Sequence, residues 1–335
     1  SLDFCVAFSD HKIFHNDERA ALSLIELTSY TSIIGWQSLK AIYSFKTKTS
    51  FISNYQTIIY SGFYAPAAVA NHPHGKNILY CHTPPRFVYD LKNHYLQQAS
   101  WWQKPLLRLL TRYVQYNYEK AIDRMDIIIA NSENVQERIK KYLGRDSIVI
   151  YPPIAVERFR CIDQCDYNLS MSRLETKKRV DLIVQTFKRL PQKKLIVASG
   201  GSDSERLKKL ANNAPNIQFT GWCDEDQLLQ LIGSCIATIY IPPDEDFGMS
   251  PVESMAAGKP VIGVAEGGLL ETVVQGETGY LIDSGQESLN QQSLIEAVNW
   301  MTPEKALSMR TACKKRAQLF TADLFISNMK NILLN

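Results

Sequence analysis

The sequence predicts an α/β protein built from two doubly wound parallel-sheet domains. Three observations carry this. Short apolar runs alternate with amphipathic helical stretches along most of the chain, the pattern of repeated βαβ units. The strand runs are apolar on both faces, as in Ile127-Ile128-Ile129, which suits strands covered by helices on each side. The chain has 335 residues, more than one hydrophobic core comfortably organises, so two domains are expected.

In the first half, strands are expected at Thr57–Ser61, Asn77–His82, Asp126–Asn131 and Ser147–Tyr151, with a helix at Glu133–Tyr142. Tyr151-Pro152-Pro153 then ends regular structure and stiffens a connector. In the second half, strands at Asp166–Met171, Lys194–Ser199, Ile217–Thr220, Ile236–Ile241 and Pro260–Val264 alternate with helices. Those helices are expected at Arg179–Leu190, Asp203–Asn212, Glu225–Gly233 and Ser250–Ala257. Ser250-Pro251-Val252-Glu253 reads as a helix start, with Ser at the N-cap, Pro at N1 and Glu at N3. The expected domains are 1–158, 159–320 and a C-terminal helix within 321–335 that could cross back to the first domain.

Composition narrows the function. Net charge is only +3, so a nucleic-acid partner is not expected. The charge is uneven: residues 1–158 hold 18 Lys and Arg against 13 Asp and Glu, a net +5. The seven cysteines are odd in number and include no C-x-x-C pair, which points to reduced thiols and a cytoplasmic location. His11 and His15, and His72 and His74, are the paired histidines; neither pair has the four-ligand spacing of a structural zinc, and no metal site is expected. No apolar run approaches the length that spans a bilayer. The chain opens Ser1-Leu2 without an initiator Met, which suggests that the natural chain begins upstream.

Three segments carry chemistry. Pro242-Pro243-Asp244-Glu245-Asp246-Phe247-Gly248-Met249-Ser250-Pro251-Val252-Glu253 follows an expected strand, at the carboxyl edge where open α/β sheets bind ligands. Phe247-Gly248 lets backbone approach a ligand, and the helix start beyond it offers free N–H groups to a phosphate. The bland alternative makes Glu253 a capping residue and Glu245 a solvated acid. Ser172-Arg173-Leu174-Glu175-Thr176-Lys177-Lys178-Arg179 places four cations in seven residues beside a helix start, an anion site or simply a solvated basic turn. Tyr80-Cys81-His82-Thr83-Pro84-Pro85-Arg86 puts a histidine at a strand end, where a structural hydrogen bond is the usual role.

The first segment, continuing Met255-Ala256-Ala257-Gly258-Lys259-Pro260-Val261-Ile262, resembles the E-x7-E signature of the family 4 retaining glycosyltransferases. The second resembles that family's R-L-x-x-x-K segment, and the third the H-T-P-x-R stretch of its mannosyltransferase-like members. Phe219-Thr220-Gly221-Trp222 and Gly267-Gly268-Leu269-Leu270-Glu271 also match. The resemblance implies the GT-B fold, two Rossmann-like domains facing across a cleft, with the first on the acceptor side and the second binding the nucleotide sugar. It implies that Glu245 contacts donor-sugar hydroxyls and Glu253 the ribose. Arg173 and Lys178 would grip the diphosphate and neutralise the leaving group. His82 would face the sugar, and Arg86 could meet the acceptor. Phe247, Gly248, Met249 and Ser250 would lie along the donor, with Trp222 and Cys223 beside the base.

The resemblance further implies hexosyl transfer with retention, GDP-mannose as the donor guess, and a glycan or lipid-linked acceptor in polysaccharide or glycolipid assembly. No cofactor or essential metal is expected, because Arg173 and Lys178 supply the charge that a metal at Asp224-Glu225-Asp226 or Asp244-Glu245-Asp246 would bring. One departure stands out. The family opens with a strand and a glycine-rich loop, whereas the only glycine in residues 1–55 is Gly35. A non-catalytic nucleotide-sugar-binding scaffold, or an epimerase or phosphorylase on the same fold, therefore stays open as an alternative.

Trp101 to Tyr113 forms an amphipathic stretch, with Lys104, Arg108, Arg112 and Lys120 on one i,i+4 row. It reads either as a helix covering the first domain's sheet or as an interfacial helix making a peripheral contact with the inner face of a membrane.

Overall fold

The structure, a computed structural model, describes residues 3–8, 24–30, 35–283 and 289–334. His11 and His15 lie outside the described residues. The chain divides into two compact units, Ser1–Val149 and Ile150–Asn335.

The first unit centres on a four-stranded parallel sheet in the order β3 (Thr57–Ser61), β4 (Lys76–Cys81), β5 (Ile127–Ala130), β6 (Ile148–Val149). Its core joins Leu79 and Ile128 of the sheet to Ile42, Val114, Ile122 and Ile139 of the helices. Those helices are α1 (Trp36–Thr47), α2 (Lys92–Gln98), α3 (Gln103–Ile122) and α4 (Glu133–Leu143). Helix α4 shows its stops plainly. Ser132 Oγ accepts from the Val135 N–H at 3.0 Å, and Gly144 ends the helix at φ 64°, a left-handed cap that favours glycine.

Residues 1–55 hold more than was expected of a domain without its first strand. β1 (Phe4–Val6) and β2 (Leu24–Glu26) form a separate parallel pair, and helix α1 follows. Neither strand was expected from the sequence. His72, one of the paired histidines, is buried. Its ring nitrogens reach Asn77 Oδ1 at 2.9 Å and the Tyr55 carbonyl at 2.7 Å, a structural role.

The second unit is a six-stranded parallel sheet in the order β12 (Gly279–Ile282), β11 (Val261–Val264), β10 (Thr238–Tyr240), β7 (Tyr167–Ser170), β8 (Lys194–Val197), β9 (Ile217–Phe219). Helices α5 (Val180–Lys188), α6 (Ser204–Ala211), α7 (Glu225–Ser234), α8 (Met249–Ala256), α9 (Leu269–Thr272), α10 (Gln291–Trp300), α11 (Pro303–Ala317) and α12 (Ala322–Leu334) complete it. Phe187, Ile183, Leu169, Leu195 and Val261 are essentially inaccessible at its centre, the two-sided burial expected of parallel strands. The chain winds outward from β7 to β9, then returns to β10 and winds the other way. The order therefore reverses between β7 and β10, which pair directly at Leu169 and Thr238. Both units are Rossmann-like, as the expected class requires.

One local expectation is corrected. Helix α8 does not start with Ser250 as its N-cap. It starts at Met249, after Gly248 at φ 88°, and no side chain caps it. Positive φ at Gly248 turns the chain two residues earlier than the Ser-Pro signature suggested. Glu253 thus sits a full turn inside the helix and is no capping residue.

Candidate active site

The order reverses between the adjacent strands β7 and β10, and the carboxyl ends of two such strands are the position where doubly wound sheets bind ligands. The basic segment 172–179 leaves the end of β7, and the acidic segment 242–253 leaves the end of β10. Two segments 67 residues apart meet here: Lys178 Nζ lies 2.7 Å from Glu245 Oε2. Both side chains are mostly shielded, at 25% and 21% exposure, so the pair keeps more of its attraction than a surface pair would.

Beneath it lies Tyr240, the last residue of β10. Its ring sits 5.7 Å under Lys178 Nζ, and its hydroxyl hydrogen-bonds Glu245. Burial first, then the charge of Glu245, pushes the phenol well above its ordinary pKa, so it stays protonated and donates to the carboxylate. A second tie runs through Glu266, just after β11. Its carboxylate accepts from the Asp244 N–H at 3.1 Å and pairs with Arg179 at 3.4 Å. Arg179 itself stands at φ 53° in the left-handed region, a strained hinge between the basic turn and α5.

The other expected donor residues lie in the same unit. Arg173 is two-thirds exposed, held only loosely by Glu175 at 3.5 Å, and can swing to an anion. Glu253 is largely buried, and burial raises its carboxyl pKa. A carboxylate held out of water without a cation beside it is prepared to accept hydrogen bonds from hydroxyl groups. Met249 is exposed and Ser250 half-buried at the uncapped start of α8. Phe247 takes a different part: its ring is buried against Tyr151 and Phe320, at 5.6 and 5.4 Å, so only its backbone can meet a ligand. Trp222, 70% exposed, lies over Gly200, where a β-carbon would come within 2.4 Å of the indole nitrogen. Cys223 Sγ is 3.1 Å from Thr220 Oγ1. Asp224 is occupied as the cap of α7, accepting from the Gln227 N–H at 2.8 Å.

Residues 163–320, nearly all of this unit, match the family described as Glycosyl transferases group 1. Over these residues the chain is similar to the group 1 glycosyltransferases. Among its curated relatives, the alpha-1,3/1,6-mannosyltransferase ALG2 of Dictyostelium discoideum is 35% identical over 36% of this chain and 34% of that protein. The mouse (Mus musculus) protein of the same name is 26% identical over 75% of this chain and 66% of its own length. The chain thus spans between a third and two thirds of the length of these relatives. A sucrose-phosphate synthase from Thermosynechococcus elongatus shares the fold, with a TM-score of 0.75 at 18% identity over 92% of this chain and 82% of that one. So does Anabaena HepE, solved in complex with UDP, with a TM-score of 0.73 at 16% identity over 94% and 87%.

In the first unit, His82 follows β4, and its Nε2 lies 2.9 Å from Ser61 Oγ. The residue as a whole is exposed, yet its ring stands edge-on to Tyr80 at 5.2 Å, and desolvation there lowers the imidazole pKa. Arg86 is engaged with Asp90 at 2.8 Å. Arg138, a buried arginine of α4, donates to Thr83 Oγ1 at 3.1 Å and supports the 82–86 turn. Sequence reasoning missed Tyr240, Glu266 and Arg138. Tyr240 looks like one more strand hydrophobe, and Arg138 like a helix-surface cation. Only Glu266, an acid directly before Gly267-Gly268 at a strand end, left a readable signal.

Proposed function

We propose that this chain is a retaining hexosyltransferase that moves a sugar, mannose from GDP-mannose, from a nucleotide donor to a hydroxyl acceptor. The observation that carries it is the Lys178–Glu245 pair, on the segments that leave the carboxyl ends of β7 and β10, together with the desolvated Glu253. That arrangement offers a cation for a diphosphate, a carboxylate for sugar hydroxyls and a second for ribose. The uncapped N-terminus of α8 adds backbone donors for a phosphate. As the glycosidic bond breaks, negative charge grows on the leaving diphosphate, and Lys178 and Arg173 stabilise it. In this reading no essential metal is needed for donor binding.

The mannose assignment is supported by the names of the curated relatives, alpha-1,3/1,6-mannosyltransferases, and by the His82–Arg86 resemblance. The acceptor proposed is a glycan or a lipid-linked saccharide, handled in the cytoplasm against the inner face of a membrane. His82 is the proposed imidazole of the first unit for the reaction, and Arg86, freed from Asp90, its acceptor-side cation.

Calorimetric titration with GDP, UDP and ADP in the presence of EDTA tests the reading, followed by turnover assays with the matching nucleotide sugars. Tight binding of GDP, lost in Glu253→Ala and Arg173→Ala, supports it. Binding without turnover on any acceptor assigns the scaffold role instead, and no binding by any nucleotide overturns the donor site.

A further inference from the structure

Helix α3 turns the wrong face to water. Val114, Tyr118, Ala121 and Ile122 are buried on one side, so the opposite side of a water-facing helix should be polar. Instead Leu106, Leu109, Tyr113 and Tyr116, spaced i, i+3, i+7 and i+10, form an exposed stripe, with Leu106 at 67% and Leu109 at 66% exposure. Trp101 and Trp102 stand exposed just ahead of the helix. Trp36, also exposed, begins α1 where Gly35 abuts Leu110 of the same helix.

Charge follows the stripe. Arg108 and Arg112 run along one flank. At its C-terminal end Lys120 and Arg124 join Lys46 around a concavity of about 100 Å³ whose lining, among the described residues, holds no carboxylate. Lys46 also reaches Asn117 Oδ1 at 2.8 Å. Among the described residues, Arg108, Arg112, Lys120 and Arg124 enter no ion pair. Exposed leucines alone would suit any apolar partner. Leucines ringed by tryptophan and tyrosine, with unpaired cations beside them, match the layers of an anionic bilayer surface. Among the described residues no helix is long and apolar enough to cross a membrane, so the contact is one of lying on the surface.

We infer that the outer face of α3, with Trp36 and the Lys46–Lys120–Arg124 concavity, docks on an anionic phospholipid surface, the concavity taking a headgroup phosphate. This deepens the membrane position proposed above, and it uses none of the donor-site residues.

Co-sedimentation of the full chain with vesicles tests it. Binding to phosphatidylcholine vesicles containing phosphatidylglycerol is expected, with weak binding to phosphatidylcholine alone and loss as salt rises. Leu106→Gln with Leu109→Gln, and separately Lys120→Gln with Arg124→Gln, should each lower partitioning by at least about tenfold. Tryptophan emission should shift to the blue on vesicle addition. GDP titration of the same variants should match the parent, which separates failure here from failure of the donor site. No binding to the anionic vesicles, or variants that bind as well as the parent, overturns the inference. So does a dimer in solution that the leucine substitutions dissolve, since the face would then serve a second copy of the chain.

Discussion

Lys178 and Glu245 lie 67 residues apart in sequence and 2.7 Å apart in space, joined across the one place where the second sheet reverses its winding. Neither can change alone. Lys178→Met leaves a shielded carboxylate without its cation, and Glu245→Gln leaves the lysine without its anion. Each single substitution should lower kcat by roughly 10² to 10³, the scale of losing one preorganised electrostatic contact at a developing charge. In a double-mutant cycle the two losses should fall well short of adding. Additive losses would mean that the pair does not act as a unit.

Tyr240→Phe removes one hydroxyl and leaves the core volume intact. The loss of its hydrogen bond to Glu245 should cost about 1 kcal/mol, seen as a several-fold fall in kcat/KM with little change in Tm. An unchanged kcat/KM would show that the carboxylate does not need this donor.

Glu253 ties stability to function with a definite sign. Burial raises its folded pKa above the unfolded value near 4.5, so the folded state holds its proton more tightly. The contribution to stability is complete below the unfolded value and is lost as pH rises through the folded one. Glu253→Gln should therefore raise the Tm of the ligand-free protein at neutral pH, and this gain should vanish in acid. The same substitution should weaken nucleotide binding. Thermal melts at several pH values, paired with GDP titration, check both halves.

His82 carries the opposite sign. Desolvation lowers its pKa, so the ring is neutral at pH 7 and stays neutral to lower pH than an ordinary imidazole. Its contribution to stability is present above the unfolded value of about 6.5 and is lost as pH falls through the folded one. If the neutral ring serves the reaction, the acid limb of the rate profile should fall below pH 6.5 and should disappear in His82→Asn. An acid limb unchanged in that variant would remove His82 from the reaction.

Phe247→Ala opens a hole among Tyr151, Phe320 and the start of the donor loop. A loss of about 3–5 kcal/mol in urea unfolding is expected. Nucleotide affinity should fall through loosening of the loop, since the ring does not face the ligand.

Much of this protein is legible in its sequence. Short apolar runs marked most strands of both large sheets, because two-sided burial writes itself as unbroken apolar stretches such as Ile127-Ile128-Ile129. The two donor segments were legible as motifs, because their charges and glycines sit in local order. What failed was local order without contrast: the three-residue strands β1 and β2, and the start of α8, where positive φ at Gly248 overrode the Ser-Pro signature.

The sequence by itself determined which residues could carry charge, cap a helix or fill a core, and where the chain would alternate between strand and helix. Only the tertiary structure decided that the strand order reverses between β7 and β10, that Lys178 meets Glu245 there, and that Tyr240 and Glu266 hold the arrangement. The same holds for α3, where burial alone decided which side of an amphipathic helix faces the core. These are pairings between segments distant in sequence. Their partners are chosen by sheet winding and packing, which no local pattern of residues encodes.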